Sequence, residues 1–533
     1  MKDKNYLPLY FAFTIVFGVL IGAFFNGNNS SNTLFAKKSS NEIKIKRLIN
    51  YIQRDYVDSV DTEDLLDGAI TQILGKLDPH SVYIPKENMQ SFTENMQGNF
   101  VGIGVQFRMI KDSITVIQPI KGGPSIKAGI KAGDRILLAN SDTLYGKKLS
   151  SNTIPKFLKG KSNTTIDLQV YRKSNDSLFT ISLKRGKVAI KSVDVSYMIN
   201  DTIGYIKLER FARTSYKEFK AALTKLQEKG MTDLVLDLRG NGGGYVDIAT
   251  KIVDEFLEDG KLIVFTKDNK GTVDKWHATN RGAFEDGGLY VLMDQNSASA
   301  SEIVAGALQD NDRGTTIGRR TFGKGLVQEE LDLGDGSAVR LTIARYFTPT
   351  GRSIQKPYEK GKKRNYSRDL NNRIENGELL NKDSIKVVDS LQFITPKGKI
   401  VYGGGGIVPD VFVAVDTTSY LNTFYFNTIQ NFAFDLVDAN RKELSKNSLN
   451  SFIKNYDINK PYDAYLESIN TTLKDSKKRY AKRFKPSKKV EKTIKDYLKA
   501  TIASQIYGDD GFYRVIQSDD KMLQKVLELE TNN

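Results

Sequence analysis

The chain has 533 residues, of which 39% are hydrophobic and 27% are charged, a composition typical of a globular protein with several domains. It contains no cysteine, which excludes disulfide bonds and thiol catalysis, and its formal net charge is +16. Such a charge is compatible with nucleic acid or anionic lipid as a partner, but the sequence has no aromatic-interleaved basic motif of a nucleic-acid module. The charge therefore indicates a basic solvated surface, and no nucleic-acid partner is expected.

The N-terminus predicts a membrane anchor. An uncharged apolar run extends from Leu7 to Phe25, and its 25 − 7 + 1 = 19 residues are about enough to cross a bilayer as a helix. A cleaved signal peptide, the alternative, usually has a shorter apolar core, and here the nearest small-residue site ends only at Ala36. Because lysines precede the run, we expect residues 1–25 to be a single-pass signal anchor of a bacterial inner membrane. The rest of the chain would then lie in the periplasm, or at least outside the cytoplasm.

A helical region follows a short tether. Residues 26–40 are rich in Asn and Ser and predict that tether. From Glu42 to Leu77 apolar residues recur every three or four positions, which predicts helices with one buried face. Tyr56–Asp58 marks a break between two helices, and Pro79 in the sequence LDPHS ends the second. Residues 41–96 are therefore predicted to form an N-terminal helical region, for which a simple cap on the next domain is one interpretation.

Residues 97–186 resemble a PDZ domain. The sequence FVGIGV at 100–105 is typical of a loop whose free N–H groups bind a chain-terminal carboxylate while the peptide adds as a strand to a sheet edge. A GxG pattern alone would equally indicate a β-bulge, but Pro124–Ile136 closely matches the helix and turn that precede a buried strand in PDZ domains. The predicted peptide-binding residues are Phe100, Gly102, Ile103, Gly104 and Val105.

From Val188 onward, predicted strands and helices alternate. This alternation argues for βα layers. The predicted strands are Ile203–Leu208, Asp233–Leu238, Leu262–Thr266 and Leu289–Met293, and the predicted helices are Ser215–Lys229 and Tyr245–Leu257.

A serine and a lysine after the last of these strands suggest catalysis. Ser299 precedes an amphipathic run. Lys324 lies 324 − 299 = 25 positions after Ser299 and stands between two glycines. A lysine can take the proton of a serine hydroxyl if burial or nearby positive potential lowers its pKa from about 10.4. A helix that begins near Ser299 would supply positive potential and amides for an oxyanion. The hypothesis is that Ser299 is a nucleophile and Lys324 its base.

Other interpretations of these residues stay open. Ser299 with Glu302 is also a capping box, and Lys324 is also typical of a solvated loop. The chain has two histidines as alternative bases, His80 in the helical N-terminal region and His277 in a polar loop. The segment GRRTFGK ending at Lys324 matches the start of a phosphate loop, but a glycine stands at the eighth position and the flanks predict strands, so nucleotide binding is not expected.

Two blocks, SASASEIVAGALQD and TFGKGLVQ, together resemble the active-site signature of the C-terminal processing peptidases, also called tail-specific proteases. This family uses a serine–lysine dyad without metal or other cofactor. Its serine, lysine and helper glutamine map onto Ser299, Lys324 and Gln328, the glutamine orienting the lysine amine. On its own, Gln328 is also typical of a solvent-facing strand residue.

The resemblance also implies an oxyanion hole. The block DLRGNGGG is similar to the family's glycine-rich block, which contributes one oxyanion amide, and the residue after the nucleophile contributes the other. The family usually has proline where Gly242 stands, which leaves the donor open between Gly243 and Gly244, with Ala300 as the second donor. Without the resemblance, the triple glycine is simply a flexible turn.

The remainder of the chain is predicted as follows. Strands over Gly325–Leu333 and Ser337–Thr342 form a hairpin. Residues 356–383 are charged and loop-like, within an insertion that spans about 356–400, and Gly403–Asp410 resembles the family's return to the core. Residues 418–533 predict a mainly helical domain. Its basic stretch from Lys474 to Lys499 indicates either a polar helical face or a surface for anionic lipid or acidic partners.

The resemblance spans roughly residues 42–415. It implies a helical region, a PDZ domain and a crotonase-like βα-layered serine protease core over 187–417. With the membrane helix and the C-terminal helical domain predicted from the flanking residue patterns, the expected fold is α/β multidomain. It further implies a serine endopeptidase that recognises the accessible C-terminal tails of protein substrates and cleaves them through an acyl-enzyme. Because the family's N-terminal helices often serve dimerisation, a homodimer through the N-terminal or C-terminal helices is expected. The alternative is a catalytically silent PDZ binding scaffold of the cell envelope.

Overall fold

A computed structural model describes residues 10–17, 40–147, 149–150, 152–418, 421–475 and 485–531. One compact unit of the chain ends at Ile73 and another begins at Leu74. Within these ranges, no helix has both the length and the apolar character needed to span a bilayer. Of the predicted anchor only residues 10–17 are described, and of the predicted tether only residue 40, so both predictions lie largely outside the described residues.

The first unit is helical where it is described. Its helices are α1 (residues 10–17), α2 (Ser40–Asp55) and the start of α3 (Thr62–Gly75). The predicted break between two helices is confirmed and covers residues 56–61. Apolar residues of α2 remain exposed, among them Ile45, Leu48 and Tyr51.

A strand and a helix follow the LDPHS turn. The helix lies within the helical region predicted for residues 41–96, whereas the strand was not predicted. Strand β1 (Val82–Ile84) pairs antiparallel with a strand of the distant core, Val82 opposite Arg340. Helix α4 (Lys86–Gln97) ends at Gly98, which adopts φ 73 as the left-handed C-cap. The pairing of β1 brings the turn at residues 78–81 to the core.

A small antiparallel sheet occupies the predicted PDZ region, with the order β3–β4–β5–β7–β8 and β6 on β5. Among the described residues, β3 pairs with β4 alone, so its other edge is open. The buried side of the sheet alternates along β7, where Ile166, Leu168 and Val170 are fully buried. The elements are β2 (Asn99–Gly102), β3 (Val105–Ile110), β4 (Ser113–Pro119), α5 (Pro124–Lys127), β5 (Arg135–Ala139), β6 (Asp142–Thr143), α6 (Ile154–Leu158), β7 (Thr165–Arg172), β8 (Ser177–Lys184) and β9 (Gly186–Ala189).

The central sheet of the core has the order β10–β11–β12–β15–β16–β21 and is parallel from β11 onward. Every residue of β11 is buried, as expected for a parallel strand covered on both faces. A second, antiparallel sheet has the order β1–β18–β13–β14, with β17 on β18. The elements are β10 (Val193–Met198), β11 (Ile203–Leu208), α7 (Ser215–Gln227), β12 (Asp233–Asp237), α8 (Val246–Asp254), β13 (Leu262–Asp268), β14 (Val273–His277), β15 (Gly288–Met293), α9 (Ala300–Asp310), β16 (Thr315–Gly318), β17 (Leu326–Asp332) and β18 (Ala338–Phe347).

The insertion is more ordered than its charge predicted. The loop-like prediction for residues 356–383 is wrong in part, because α10 (Lys363–Ser367) and α11 (Asp369–Glu375) lie there. Tyr366 is buried and Arg373 forms a buried ion pair with Glu378 at 2.8 Å. A charged composition alone predicts a loop, whereas burial of an aromatic ring and a paired charge orders this segment. The insertion continues with β19 (Gln392–Ile394) and β20 (Ile400–Tyr402), and the chain returns to the core through β21 (Val411–Phe412).

Helices form the C-terminal region, as predicted. They are α12 (Thr423–Leu444), α13 (Leu449–Asn455), α14 (Asn459–Asp475), α15 (Lys488–Tyr507), α16 (Asp509–Ile516) and α17 (Lys521–Thr531). Asp438 of α12 forms ion pairs of 3.1 Å with Arg135 and 3.2 Å with Lys173 of the small sheet. Apolar residues of α17, such as Leu523 and Val526, pack on the central sheet. Part of the predicted basic stretch, residues 476–484, lies outside the described residues.

Candidate active site

The predicted nucleophile lies on a tight turn between β15 and α9. Ser299 has φ 57 and ψ −114, a conformation that is rare for a residue with a side chain and costs conformational energy. Helix α9 begins at the next residue and is buried along its whole length, so its N-terminus points its free amides and positive dipole end at this turn. A strained serine at a helix N-terminus is the geometry expected of a nucleophile.

The glycine-rich turn lies directly against the nucleophile. A Cβ added at Gly243 would lie 2.8 Å from Ser299 Cβ and 2.9 Å from the backbone N of Ala300, so only glycine fits there. Asn241 joins the two turns, because its carbonyl oxygen accepts from the backbone N–H of Ala298 and from the hydroxyl of Ser301.

The predicted oxyanion donors differ in their availability. The N–H of Gly243 already donates to Asn241 Oδ1 at 2.9 Å. In the part of the chain that the structure describes, the N–H groups of Gly244 and Ala300 have no acceptor. The arrangement therefore favours Ala300 and Gly244 over Gly243 as donors to a developing oxyanion.

The predicted base lies on the loop between β16 and β17. Lys324 Nζ donates to Gln328 Oε1 at 2.7 Å, the contact expected for a helper glutamine. Burial and, to a smaller extent, the positive charge of Arg340 lower the pKa of Lys324 to about 8, against the opposing effect of the carboxylates of Glu302 and Asp78. An amine with this pKa is neutral in an appreciable fraction of molecules near neutral pH.

Glu302 ties the nucleophile turn to the base loop. Its side chain is fully buried and accepts hydrogen bonds from the N–H of Ser299, the hydroxyl of Thr321 and the N–H groups of Gly323 and Lys324, at 2.6–2.9 Å. Burial raises the pKa of Glu302 to about 7, and these hydrogen bonds oppose the rise because they suit the ionised carboxylate. The sequence showed this residue only as half of a capping box.

Tyr346 forms a second link between the same two segments. Its buried hydroxyl donates to the carbonyl oxygens of Ser299 at 3.1 Å and of Lys324 at 2.8 Å. The sequence indicated no role for Tyr346. Only the three-dimensional structure reveals this contact, because the tyrosine follows the lysine on a separate strand.

The serine and the lysine are not yet hydrogen-bonded to each other. Both side chains belong to the described residues, and no hydrogen bond joins Ser299 Oγ to Lys324 Nζ. The lysine amine is instead held by Gln328. In unliganded enzymes, catalytic hydrogen bonds are often long and tighten only when substrate binds.

The two histidines have different surroundings. His277 is the exposed last residue of β14, so its prediction in a polar loop is wrong; the register of β14 with β13 places it in a strand. His80 lies on the turn between α3 and β1, and its carbonyl oxygen accepts a hydrogen bond from Gln328 Nε2. Burial and the charge of Lys324 lower the pKa of His80 to about 4. A histidine that weakly basic is a poor general base at neutral pH.

The predicted peptide-binding loop has the expected free donors. The N–H groups of Ile103 and Gly104 have no acceptor among the described residues, and Gly104 adopts φ 79. Ile103 itself is buried in the core of the small sheet, and Val105 begins the edge strand β3. The ring of Phe100 lies beneath the ammonium group of Lys159, which is 4.9 Å from the ring centroid and forms an ion pair with Glu94.

Within the described ranges, no group of His, Asp and Glu side chains is arranged to hold a metal ion.

Family models match four parts of the chain. They are described as peptidase family S41 at residues 202–363, PDZ domain at 101–183, activating protease CtpB N-terminal domain at 25–88, and a family of unknown function at 420–508. The last match covers most of the described C-terminal helices, for which it adds no function.

Curated relatives share about a third of their residues with this chain. A probable CtpA-like serine protease of Staphylococcus aureus (strain N315) is 33% identical over 358 residues, which are 66% of this chain and 71% of that protein. A carboxy-terminal-processing protease of Bartonella bacilliformis is 36% identical over 311 residues, 57% of this chain and 70% of that protein. The carboxy-terminal processing protease CtpB of Bacillus subtilis is 32% identical over 318 residues, 59% of this chain and 65% of that protein.

Among solved structures, a photosystem II D1 C-terminal processing protease has 25% sequence identity and covers 70% of this chain and 94% of its own, with a TM-score of 0.37. A TM-score that low adds nothing to the assignment. The sequence relatives and the family models are sufficient: this chain belongs to the carboxy-terminal processing serine proteases of peptidase family S41 and contains a PDZ domain.

Proposed function

We propose that this chain is an endopeptidase of the cell envelope whose PDZ domain captures C-terminal tails and whose Ser299 attacks a peptide bond near the tail. The observation that supports this most is the state of Lys324. Its amine is partly buried, its pKa is lowered to about 8, and its loop is joined to the Ser299 turn through Glu302. A lysine in this state can accept a proton, which a solvated lysine cannot do near neutral pH.

Acylation transfers the proton of Ser299 to the base. Ser299 Oγ bonds to the peptide carbonyl carbon as the neutral amine of Lys324 takes the hydroxyl proton. The N–H groups of Ala300 and Gly244 stabilise the negative charge that develops on the carbonyl oxygen. The ammonium group of Lys324 then gives its proton to the leaving amine, the C–N bond breaks, and an ester on Ser299 remains. The hydrogen bond from Lys324 Nζ to Gln328 Oε1 keeps the amine oriented while the proton moves.

Deacylation reverses these roles with water. Lys324 takes a proton from a water molecule, whose oxygen attacks the ester carbonyl carbon. The proton then returns to Ser299 Oγ as the ester bond breaks, which releases the new C-terminus of the product. No metal ion or nucleotide takes part in either step.

Tail capture would use the loop at residues 102–104 and the edge of β3. The unpaired N–H groups of Ile103 and Gly104 suit a terminal carboxylate, and the open edge of β3 suits an extended peptide. We expect tails with apolar side chains to be preferred, because PDZ grooves read alternate side chains of the added strand.

The location of the protein is part of the same proposal. The apolar run at 7–25 would anchor the chain in the bacterial inner membrane, with the protease in the periplasm. The exposed apolar residues of α2 would serve a homodimer. Membrane extraction with alkaline carbonate tests the anchor, because a deletion of residues 1–25 should move the protein to the soluble fraction.

A catalytically silent scaffold is the second candidate, and the missing hydrogen bond between Ser299 and Lys324 is the observation that favours it. Covalent labelling by a fluorophosphonate probe separates the two candidates. An active protease should be labelled on Ser299 when an apolar tail peptide is present, whereas a scaffold should not be labelled at all.

The decisive test is cleavage of a denatured test protein that carries either an apolar or a charged C-terminus. We expect Ser299→Ala and Lys324→Ala each to lower kcat/KM by at least about 10³-fold, because each removes a group that takes part in the chemical step. Matched controls are Ser390→Ala and Lys360→Ala, which change exposed residues of the insertion. Cleavage that survives Lys324→Ala would overturn the assignment of the base, and equal cleavage of both tails would overturn tail capture.

A further inference from the structure

A hydrogen-bond chain runs from the amine of Lys324 to the insertion. Lys324 Nζ donates to Gln328 Oε1 at 2.7 Å, and Gln328 Nε2 donates to the carbonyl oxygen of His80. The imidazole of the same histidine continues the chain, because its Nε2 lies 2.8 Å from the hydroxyl of Tyr366. Tyr366 belongs to α10 and is 286 positions from His80 in the sequence.

A second arm returns from Tyr366 to the backbone beside the lysine. Gln355 Nε2 lies 3.4 Å from the Tyr366 hydroxyl, and Gln355 Oε1 accepts from the N–H of Gly325 at 2.9 Å. Gly325 directly follows Lys324. The hydrogen bonds therefore form a closed ring that holds the lysine by its amine at one end and by the adjacent peptide at the other.

The protonation states of the ring are complementary. The pKa of His80 is lowered to about 4 by burial and by the positive charges of Lys324, Lys356 and Lys363, against the opposing charge of Asp78. Burial raises the pKa of Tyr366, so its phenol stays protonated. A neutral imidazole with its proton on Nδ1 accepts at Nε2 from the phenol, and the phenol oxygen accepts from Gln355. Each group in this part of the ring is thus matched with a partner.

The rings of His80 and Tyr366 belong to an aromatic cluster beside the lysine loop. The rings of His80 and Tyr366 both lie edge-on near Phe322, at centroid distances of 6.3 and 6.0 Å. Lys356 Nζ lies 3.8 Å from the centroid of Phe322 and 4.2 Å from that of Tyr366, and it also pairs with Asp369 at 3.0 Å. Apolar and paired groups therefore exclude water on the insertion side of the lysine loop.

The turn that carries His80 is itself fixed to the core. Asp78 accepts from the N–H groups of His80 and Ser81 at 2.8 and 2.9 Å and from the hydroxyl of Thr342 at 3.1 Å. Thr342 stands opposite Gln328 in the β17–β18 pair. The carbonyl of His80 is thus held at the strand position from which Gln328 reaches the lysine.

We infer that Tyr366, acting through His80 and Gln355, is a positioning residue for the catalytic lysine, so that the insertion is a functional part of the active site. The inference rests on the proposed role of Lys324. Tyr366 touches neither the serine nor the lysine amine. Its hydroxyl holds the ring of hydrogen bonds that orients the Lys324 amine and keeps water away from that amine.

The test is Tyr366→Phe, which keeps the aromatic ring and removes the hydroxyl. Loss of this hydrogen bond should lower kcat by roughly 3- to 10-fold with little change in KM, because tail capture is not altered. Water that replaces the hydroxyl should weaken the desolvation of Lys324, so the acidic limb of the pH profile should move to higher pH by about half a unit. The groups that face the lysine, Arg340, Glu302 and Asp78, are unchanged in this variant.

The matched control is Tyr358→Phe, since Tyr358 lies in the same insertion with its ring 6.4 Å from that of Tyr366. It should behave as the unchanged protein. His80→Ala should reproduce the effect of Tyr366→Phe, and His80→Gln should restore most of the activity, because a glutamine amide reaches about as far as Nε2 and stays neutral. The double variant His80→Ala with Tyr366→Phe should lose less activity than the product of the two single losses, as expected for residues that share one hydrogen bond in a network.

The outcomes distinguish this inference from the proposed function. If Lys324→Ala abolishes cleavage but Tyr366→Phe has the kcat and pH profile of Tyr358→Phe, the insertion has no positioning role. A loss of kcat with an unmoved pH profile and a lower midpoint of thermal unfolding would show a structural role only and also overturn the inference. If Lys324→Ala cleaves normally, the proposed function itself fails.

Discussion

Ser299 and Lys324, the proposed nucleophile and base, are held by two regions of different construction. Ser299 lies on a turn between consecutive elements, β15 and α9, and Gly243 of the glycine-rich turn lies directly against it. Lys324 lies on a loop whose side-chain partners come from distant segments, since the hydrogen bond from Gln328 reaches a residue 248 positions away. The local region sets the backbone conformation of the serine, whereas long-range contacts set the environment of the lysine.

Glu302 joins the two regions, and Glu302→Gln is the variant expected to disturb the link between them most. A glutamine would place an NH₂ group against backbone N–H donors that now meet a carboxylate oxygen. We expect kcat to fall by roughly 10²-fold and the folded state to lose about 1–3 kcal/mol of stability, because buried donors are left without acceptors. Both quantities should be measured at pH 8, where the carboxyl group is ionised in the unchanged protein.

Glu329→Gln is the control for this change, because Glu329 is exposed on β17. If Glu302→Gln keeps kcat within about twofold of that control, the link between the two regions has no catalytic role.

Tyr346→Phe should have a smaller effect on kcat and stability than Glu302→Gln, and it tests the second link between the two regions. The change removes the hydroxyl that donates to the carbonyls of both Ser299 and Lys324. The Ser299 carbonyl keeps other donors, the N–H groups of Glu302 and Ile303, so the loss falls mainly on the lysine loop. We expect about 1 kcal/mol of lost stability and a fall in kcat of a few-fold.

Kinetics and thermal unfolding would measure these effects, with Tyr462→Phe as a control that removes a hydroxyl from a buried ring of the C-terminal helices. Equal effects of the two variants would mean that Tyr346 matters only for general stability.

The sequence predicted most of the local region correctly. Strands and helices of the core were found because their apolar runs are long and periodic, as in Ile203–Leu208, which matches β11. The helix after Ser299 was found from the same pattern. The pairing of Ser299 with Lys324 came from two motif blocks, and the roles of Ser299, Lys324 and Gln328 remain predictions until they are measured.

The long-range region was much less accessible to sequence reasoning. His80 was considered as a base, but the contact of its carbonyl with Gln328 depends on the pairing of β1 with β18, which no local pattern reveals. Tyr366 lies in a charged segment that indicated a loop, because burial of its ring is decided by tertiary contacts rather than by periodicity. The free amides of Gly244 and Ala300 also became distinguishable from that of Gly243 only once Asn241 was seen to accept from the latter.

The central claim is that Lys324 acts as the base in its neutral form, and the pH dependence of kcat/KM tests it most directly. Since the neutral amine is the active form and its pKa is lowered to about 8, kcat/KM should rise with pH and level off above an apparent pKa near 8. A profile that is already level at pH 7.5, with its inflection near the ordinary histidine value of about 6.5, would contradict the claim. That result would show that a group other than Lys324 is the base, and Lys324 would then have only a structural role.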